Sequence, residues 1–285
     1  MSYGLTVLGS VNLDLIVQVA ALPKAGETVT GGTYTALPGG KGANVAVAAR
    51  RLGAETDIMA AVGDDDYAAQ ALVNLEKEGV YLDAVRRLDA HTGLAFITVS
   101  EDGENQIAVA SGANAAYTPG DVPKLCSDVL ITQFEIPTNV IEAALDGYEG
   151  FVAVNASPVR SGVDAILNRA DLIIVNEGEA NAYDLKDHAG LVAVTLGPKG
   201  AELRMGGKII ASATPPKVEV VDTTGAGDAF AAALTVALVE KQSEAEALKF
   251  ACAVGALTTT KLGTQTASPT RAEVDAILGR GGDEC

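Results

Sequence analysis

The segment Val221–Phe230, VDTTGAGDAF, constrains this chain more than any other stretch. Its first residue, Val221, ends the stretch Val218–Val221, which predicts the end of a buried strand. Its last residues begin Asp228–Glu240, an unbroken run of apolar residues and good helix formers. Between them, Gly225 and Gly227 let the backbone turn sharply and approach a ligand closely. A helix start leaves unpaired N–H groups at the positive end of the helix dipole. The segment therefore predicts an anion-binding site built from backbone.

Asp228 lies in the first turn of this predicted helix, where an ionised carboxylate is favoured. A carboxylate repels a neighbouring anion, so it is out of place if phosphate binding is the only task of the segment. It has a role if it removes the proton from a hydroxyl group that then attacks the phosphate. The alternative is a glycine-containing loop whose Asp caps a helix, and the motif alone leaves both interpretations open.

A second glycine-rich segment lies near the N-terminus. Gly39, Gly40 and Gly42 precede a predicted helix at Ala43–Leu52, which ends before Gly53. This arrangement predicts a second place where backbone N–H groups face a ligand.

Length and composition favour one large α/β domain over residues 1–285. The chain has 37 acidic and 20 basic residues and a formal net charge of −17, which argues against a nucleic-acid partner because few Lys and Arg can neutralise phosphates. Cys126, Cys252 and Cys285 are odd in number and lack metal-ligand spacing, as is typical of a reducing compartment. We see neither a signal-peptide pattern nor an apolar run of about 18 residues, so we expect a cytoplasmic protein without a membrane partner.

The pattern of strands and helices changes along the chain. Early extended segments at Leu13–Leu22 and Thr28–Thr35 lie close together, and the segments on either side of Glu101–Glu104 predict another hairpin. Later strands alternate with helices, which is the pattern of a parallel sheet covered on both faces. These strands are predicted at Val129–Phe134, Phe151–Asn155, Leu172–Val175 and Leu191–Leu196, with a hairpin at Ala201–Ala213.

The early hairpins do not fit a doubly wound sheet. We predict that residues of about 12–36 and 92–110 form a small separate β-sheet, a lid that covers the site; edge strands on the main sheet are the alternative. The predicted fold class is α/β, a three-layer α/β/α arrangement with a mostly parallel central sheet and this lid.

Several common motifs are missing. Gly40–Gly42 and Gly197–Gly200 lack the Ser or Thr that follows Lys in a P-loop, and no GxGxxG follows the first strand. His91 and His188 are isolated, so neither a His-based triad nor a zinc site is indicated.

The motifs Gly39–Asn44 (GGKGAN) and Asp222–Asp228 (DTTGAGD) together resemble the ribokinase-like (PfkB) family of sugar kinases. Other matching segments follow in family order over nearly the whole chain: Gly9–Asp14, Gly26–Gly31, Gly103–Asn105, Ser111–Ala115, Val175–Ala180 and Thr195–Gly200. With Asn12 and Asp14 upstream, GGKGAN is most similar to the ribokinase branch. The resemblance implies ATP-dependent phosphorylation of a sugar hydroxymethyl group, with Mg²⁺.

The resemblance also implies a role for each matching residue. Asp228 matches the catalytic base, and Gly225, Ala226 and Gly227 match the anion hole for the γ-phosphoryl group. The residues that match sugar contacts are Asn12, Asp14, Gly39, Gly40, Lys41, Asn44, Glu135 and Asp228. Those that match the nucleotide and magnesium side are Asn176, Thr195, Gly197, Gly200, Gly227, Cys252 and Glu179. A core thiol explains Cys252 equally well, and a helix cap is the commoner role for Asn176.

Ribokinases also bind a monovalent cation, usually potassium, beside the anion hole. The residues that match its ligands are Asp222, Thr224, Thr258, Lys261 and Gly263. Ala267 stands where the family has a Ser ligand, which leaves mostly carbonyl ligands. A second departure lies between Asn176 and Thr195, where the chain is shorter than in the family by about one helix and a turn.

Three functions remain open. The first is an enzyme that makes a sugar 5-phosphate, ribose or a similar small sugar being the substrate. The second is a nucleoside kinase of pseudouridine or adenosine type, which needs an apolar shelf such as Phe96 and Ile107 under the lid. The third is a non-catalytic sugar-binding protein, which the intact GAGD disfavours. Because lids of this family often pair between subunits, we also expect a homodimer.

Overall fold

The computed structural model describes residues 4–280, so Cys285 lies outside the described residues. The strands, in chain order, are β1 (Gly4–Leu8), β2 (Asn12–Val19), β3 (Thr33–Gly39), β4 (Glu55–Gly63), β5 (Val85–Leu88), β6 (Gly93–Ser100), β7 (Asn105–Ala110), β8 (Val129–Gln133), β9 (Phe151–Asn155), β10 (Leu172–Asn176), β11 (Leu191–Thr195), β12 (Ala201–Met205) and β13 (Lys208–Ala213). The helices are α1 (Lys41–Arg51), α2 (Asp66–Lys77), α3 (Ala113–Ala116), α4 (Thr138–Leu145), α5 (Asp164–Arg169), α6 (Glu177–Ala182), α7 (Ala226–Val239), α8 (Glu244–Thr258) and α9 (Arg271–Ile277).

The larger sheet has nine strands in the order β13-β12-β11-β10-β9-β8-β1-β4-β5. Neighbouring strands from β11 to β5 are parallel, and β12 and β13 add an antiparallel edge. Inner strands such as β10 are apolar along nearly their whole length because a separate buried apolar cluster covers each face. The predicted three-layer α/β/α fold with a mostly parallel sheet is confirmed.

Helix α7 is apolar on almost all sides because it packs on α1 and α8 and reaches β8 and β9 of the sheet. Its N-terminus lies at the carboxyl ends of the parallel strands, where Asn155 ends β9. Neither α7 nor any other helix within residues 4–280 is long and apolar enough to cross a membrane.

The smaller sheet has four strands in the order β3-β2-β6-β7, with β2 parallel to β6 and the other pairs antiparallel. It is hydrogen-bonded separately from the larger sheet, as the lid hypothesis requires. The predicted strand at Thr28–Thr35 is wrong in its bounds, since β3 runs from Thr33 to Gly39. Pro38 is tolerated inside β3 because this is an edge strand, where a missing N–H breaks no ladder bond.

The prediction of a buried strand at Val218–Val221 is wrong. This segment leaves the edge strand β13 and pairs with no strand, so Val220 and Val221 are 59% and 61% exposed. The segment is instead hydrogen-bonded to the loop after α8, where Val221 N donates to Thr259 O. An apolar pattern cannot distinguish a strand from an extended segment that lacks a neighbour.

Candidate active site

The N-terminus of α7 leaves backbone donors free. Gly225, with φ 77°, adopts the left-handed conformation that lets the chain enter the helix here. Ala226 N donates to Thr223 O, but no hydrogen bond within residues 4–280 takes up the N–H of Gly227 or Asp228. Free N–H groups at the start of a long helix form an anion site.

Asp228 is held by three side chains from other parts of the chain. Its carboxylate accepts hydrogen bonds from Asn44 Nδ2 at 2.9 Å and from Asn155 Nδ2 at 3.2 Å, and Lys41 Nζ lies 3.9 Å from Oδ1. Only 5% of the residue is exposed. Elements α1, β9 and α7 thus fix a carboxylate directly beside the free N–H groups.

The pKa of Asp228 is raised, chiefly because the carboxylate is buried. The Lys41 ammonium and the Asn44 hydrogen bond oppose this shift, whereas the negative charges of Glu135 and Glu179 add to it. A carboxylate with a raised pKa is a better proton acceptor than an exposed one, so this environment suits a general base.

The glycine-rich loop before α1 lies tightly against the end of β1. Gly40 has φ 89°, and a Cβ on it would come within 2.7 Å of Asn12 N and 2.8 Å of Ser10 O. Glu135 Oε2 accepts hydrogen bonds from Lys41 N at 3.1 Å and from Ser10 Oγ. The loop is therefore anchored to the segments that follow β1 and β8, through Ser10 and Glu135.

At this second junction, most of the N–H groups that the sequence predicts to face a ligand are bonded within the protein. Lys41 N bonds to Glu135, Gly42 N and Ala43 N bond to Ser10, and Asn44 N bonds to Gly40 O, whereas Gly40 N forms no hydrogen bond within residues 4–280. The loop therefore positions side chains and leaves the backbone donor of Gly40 open.

Asp14 faces the same site from β2. Gly39 leaves room for it, because a Cβ at Gly39 would lie 2.2 Å from Asp14 Oδ2. Burial, with further contributions from the charges of Glu135 and Asp228, raises the pKa of Asp14 to about 7.

Lys41 is the cation of this cluster of carboxylates. Its pKa is raised by Asp228 first and then by Glu135 and Glu179, although burial opposes the shift. The surroundings of Lys41 are thus rich in hydrogen-bond acceptors, which suits a ligand with several hydroxyl groups.

Five of the residues predicted on the nucleotide and magnesium side lie at or just after the ends of two adjacent parallel strands. Asn176 ends β10 and pairs in register with Thr195, which ends β11. Asn176 and Glu179 form a reciprocal capping box at the start of α6, with both bonds at 2.8 Å. Gly197 and Gly200 bound the following 3₁₀ turn. The structure thus brings these residues to the same edge of the sheet as Asn155.

Cys252 lies inside the apolar core, 5% exposed, with its thiol 3.7 Å from Ala213 O. Burial raises the pKa of this thiol to about 11, so it stays protonated and unreactive. This environment favours the core-thiol interpretation, while its part in packing adenine stays a prediction.

The predicted cation ligands partly converge. Asp222 Oδ1 accepts hydrogen bonds from Thr224 N at 2.9 Å and from Thr224 Oγ1, and Asp222 Oδ2 lies 3.4 Å from Gly263 N. The carboxylate therefore joins the segment before α7 to the loop that follows α8. Thr258 ends α8, and Lys261 lies in the same loop with its ammonium directed to Glu273.

Four carbonyl oxygens in this region accept no hydrogen bond from residues 4–280: those of Thr224, Thr258, Lys261 and Gly263. Carbonyls and one carboxylate are a donor set that suits a hard cation of low charge. Ala267 is buried and offers no side-chain oxygen.

Sequence reasoning missed three polar residues. Asn155 bonds to Asp228, Ser10 bonds to Glu135, and Asn114 bonds to Asn12. Asn155 had a usable signal, because it is a polar residue at the end of an apolar strand, where parallel strands carry ligand sites. For Asn114, the sequence gives no signal beyond the motif Ser111–Ala115, because its partner Asn12 is distant in sequence.

Comparison with known proteins agrees with this geometry. The chain matches the model of the pfkB family carbohydrate kinases over residues 4–271. A ribokinase from Bacillus subtilis is 36% identical over 292 residues, which cover 95% of this chain and 98% of the relative. The structure of a ribokinase from Thermotoga maritima matches with a TM-score of 0.89 and 32% identity, covering 97% of this chain and 99% of that chain. An Arabidopsis thaliana ribokinase, solved with ribose and ATP, matches with a TM-score of 0.84 and 31% identity, covering 98% and 99%.

The match spans the glycine-rich loop before α1 as well as the junction before α7, so it is not confined to one motif. The expected resemblance is confirmed, and the chain belongs to the pfkB family of carbohydrate kinases, phosphotransferases that act on a sugar hydroxyl group.

Proposed function

We propose that this protein transfers the γ-phosphoryl group of ATP to the hydroxymethyl oxygen, O5, of ribose or a similar small sugar. One observation carries the proposal: the buried Asp228 carboxylate lies beside free N–H groups at the start of α7 and is held by Asn44, Asn155 and Lys41. A binding protein has no need of a buried proton acceptor at an anion site.

Asp228 accepts the proton of the attacking hydroxyl. Because phosphoryl transfer has a loose transition state, the hydroxyl loses its proton late, and a carboxylate is a sufficient base. The free N–H groups of Gly227 and Asp228, at the end of the Gly225–Gly227 turn, stabilise the charge that develops on the transferred group. Lys41, 3.9 Å from Asp228, adds a positive charge where the sugar and the phosphate meet.

The sugar lies against β2 and the loop before α1. Asn12, Asp14, Asn44 and Glu135 present amide and carboxylate groups, with Gly39, Gly40 and Lys41 forming the loop beside them. A sugar has several hydroxyls in fixed geometry, and each buried hydroxyl left without a partner costs binding free energy. This set of side chains therefore selects a polyhydroxylated substrate.

Magnesium and a monovalent cation complete the proposed site. Within residues 4–280, no group of three or more His, Cys, Asp and Glu side chains could hold a metal ion alone. Glu179 is the residue that would hold magnesium together with substrate phosphates, the usual mode for this ion, which neutralises phosphate charge when bound. The carboxylate of Asp222 and the four unbonded carbonyls suit potassium.

Potassium is therefore expected to raise the rate above that in a buffer whose only monovalent cation is tetramethylammonium. Equal rates in the two buffers would remove the cation site from the proposal.

The smaller sheet favours a free sugar over a nucleoside. Strand register puts Ile107 on the sheet face that carries Asp14, but Phe96 on the opposite face. Within the four strands, the Asp14 face carries no aromatic side chain on which a base could stack. The shelf predicted from Phe96 and Ile107 therefore does not form on one side of the sheet.

The opposite face supports a homodimer through the lid. Tyr34, Val17 and Phe96 share this face and are 64%, 37% and 48% exposed. Such an exposed apolar group is typical of a surface that is covered by a partner.

A substrate panel tests the function. ADP formation is measured with ribose, fructose, 2-keto-3-deoxygluconate, adenosine and pseudouridine, and phosphorus NMR locates the phosphate on the product. We expect ribose or a similar sugar to be phosphorylated at O5. Turnover of nucleosides alone would replace the sugar kinase by a nucleoside kinase, and turnover of no compound would favour a binding protein.

A further inference from the structure

The motif Ser111–Ala115 has no part in the chemistry described above, yet it contains a buried and fully bonded amide. Asn114, on the short helix α3, is 2% exposed. Its side chain lies where the chain crosses between the two sheets, beside the start of β2 at Asn12 and the start of β6 at Gly93.

The hydrogen bonds of Asn114 have a definite polarity. Its Oδ1 accepts a bond from Val11 N at 3.0 Å, and its Nδ2 donates to Val11 O at 3.0 Å and to Asn12 Oδ1 at 2.8 Å. A backbone N–H can only donate, so the atom facing Val11 N must be the oxygen, and the amide cannot be flipped. Both hydrogens of Asn114 Nδ2 are thereby used.

The orientation of the Asn114 amide also determines the orientation of the Asn12 amide. The atom of Asn12 that faces Asn114 receives a hydrogen bond, so it is the oxygen, and Nδ2 must point the other way. Within residues 4–280, Asn12 Nδ2 forms no hydrogen bond, and it is not among the side-chain atoms sealed from solvent without a partner. The side chain thus presents a free donor.

Gly93 makes room for this contact. Gly93 pairs with Asn12 in the parallel register of β2 and β6, and a Cβ on it would lie 2.2 Å from both Asn114 Nδ2 and Asn12 Oδ1. The space beside Gly93 is therefore occupied by the bond between the two amides.

We propose that Asn114 is a positioning residue that fixes the amide of Asn12 as a hydrogen-bond donor to one hydroxyl oxygen of the sugar. The inference rests on the proposed function, in which Asn12 contacts the substrate. The oxygen of that hydroxyl accepts a hydrogen bond from Asn12, and its O–H donates a hydrogen bond to an acceptor such as the neighbouring Asp14. The site thereby selects for an oxygen at this position that accepts a hydrogen bond from Asn12.

The decisive variant is Asn114→Asp. Its carboxylate can accept from Val11 N but cannot donate, so the Asn12 amide rotates to donate to residue 114 and turns its oxygen to the sugar. We expect kcat/KM for ribose to fall by about 10-fold to 100-fold, mainly through KM, because a buried hydroxyl oxygen then faces another acceptor.

Ribose analogues that lack one hydroxyl, at C1, C2 or C3, separate this effect from a structural defect. For the analogue that lacks the hydroxyl read by Asn12, Asn114→Asp and wild type should differ less than about 2-fold, since no mismatched pair remains. A structural defect would lower kcat/KM for all substrates equally, and that result would overturn the proposal.

A second variant, Asn12→Asp, keeps Asn114 intact and presents an acceptor to the same hydroxyl, so it decides the matter if Asn114→Asp does not fold. Its kcat/KM should fall for ribose and for every analogue except one, the analogue that lacks the hydroxyl contacted by Asn12; a uniform loss would overturn the proposal. If the wild type phosphorylates neither ribose nor any other sugar of the panel, the proposed function fails, which is distinct from a uniform loss in the variants.

Discussion

The chain contains two junctions at which glycines precede a helix, and the structure uses them in opposite ways. At the first junction, the N–H groups from Lys41 to Asn44 are bonded to Glu135, Ser10 and the loop itself, whereas at the second those of Gly227 and Asp228 are free. In the proposed function, the first junction positions the side chains that bind the sugar, and the second binds the phosphoryl anion. Glycines before a helix therefore indicate a close backbone approach, but the packing around them decides whether any donor is left for a ligand.

The largest expected effect is at the second junction. Asp228→Asn should lower kcat by about 10³-fold, because a positioned general base contributes 10²- to 10⁴-fold. Sugar affinity should change little, since the base acts only in the chemical step. ADP formation and calorimetric titration with ribose give the two quantities. Turnover above a few per cent of wild type would show that Asp228 is not the base.

Gly227→Ala tests whether the free N–H groups hold the phosphoryl group. A Cβ on Gly227 would contact no atom within 4 Å, so the variant should fold with unchanged thermal stability. Its methyl group would occupy space in front of the donors, and we expect kcat to fall by about 10²-fold, as for loss of an oxyanion donor. Unchanged kinetics at saturating ATP would show that the phosphoryl group does not bind at these N–H groups.

Gly39→Ala is the matched change at the first junction. Its methyl group would lie 2.2 Å from the Asp14 carboxylate and displace it. We expect KM for ribose to rise by about 10-fold, the effect of one lost polar contact, with KM for ATP close to wild type. Steady-state kinetics in both substrates provide the measurement. An equal rise in both KM values would mean that the first junction does not act on the sugar alone.

The smallest effect concerns pH. The pKa of Asp14 is raised from 3.8 to about 7, so its carboxylate ionises as pH rises through about 7. Affinity for the sugar should rise over this interval, because the ionised group is the better acceptor, and Asp14→Asn should show no such rise.

The same shift has a consequence for stability. A folded-state pKa above the unfolded value stabilises the fold fully below about pH 4, and this contribution is lost as pH rises through about 7. Chemical denaturation of wild type and Asp14→Asn between these limits measures the difference. A wild-type profile parallel to that of the variant would contradict the shifted pKa.

Much of the fold was predictable from local patterns. Strands β8 to β13 and the helix that begins near Asp228 follow from apolar runs, turn residues and glycines, all of which act over a few residues. The prediction failed at Val218–Val221, where burial depends on whether another strand lies alongside. Within the site, the motif residues were found, but Asn155 and Asn114 were not, because no motif marks them as partners of Asp228 and Asn12.

The sequence by itself determined the family, the order of the elements and the two glycine-rich segments, since these depend on residues that are close together along the chain. Only the tertiary structure decided which amides stay free, which side chains hold Asp228 and which way the Asn12 amide points. The reason is physical: Asn44 and Asp228 are 184 residues apart, and Asn114 and Asn12 are 102 apart. Hydrogen bonds between such positions exist only once helices and strands have packed, and their direction sets the chemistry that the site can perform.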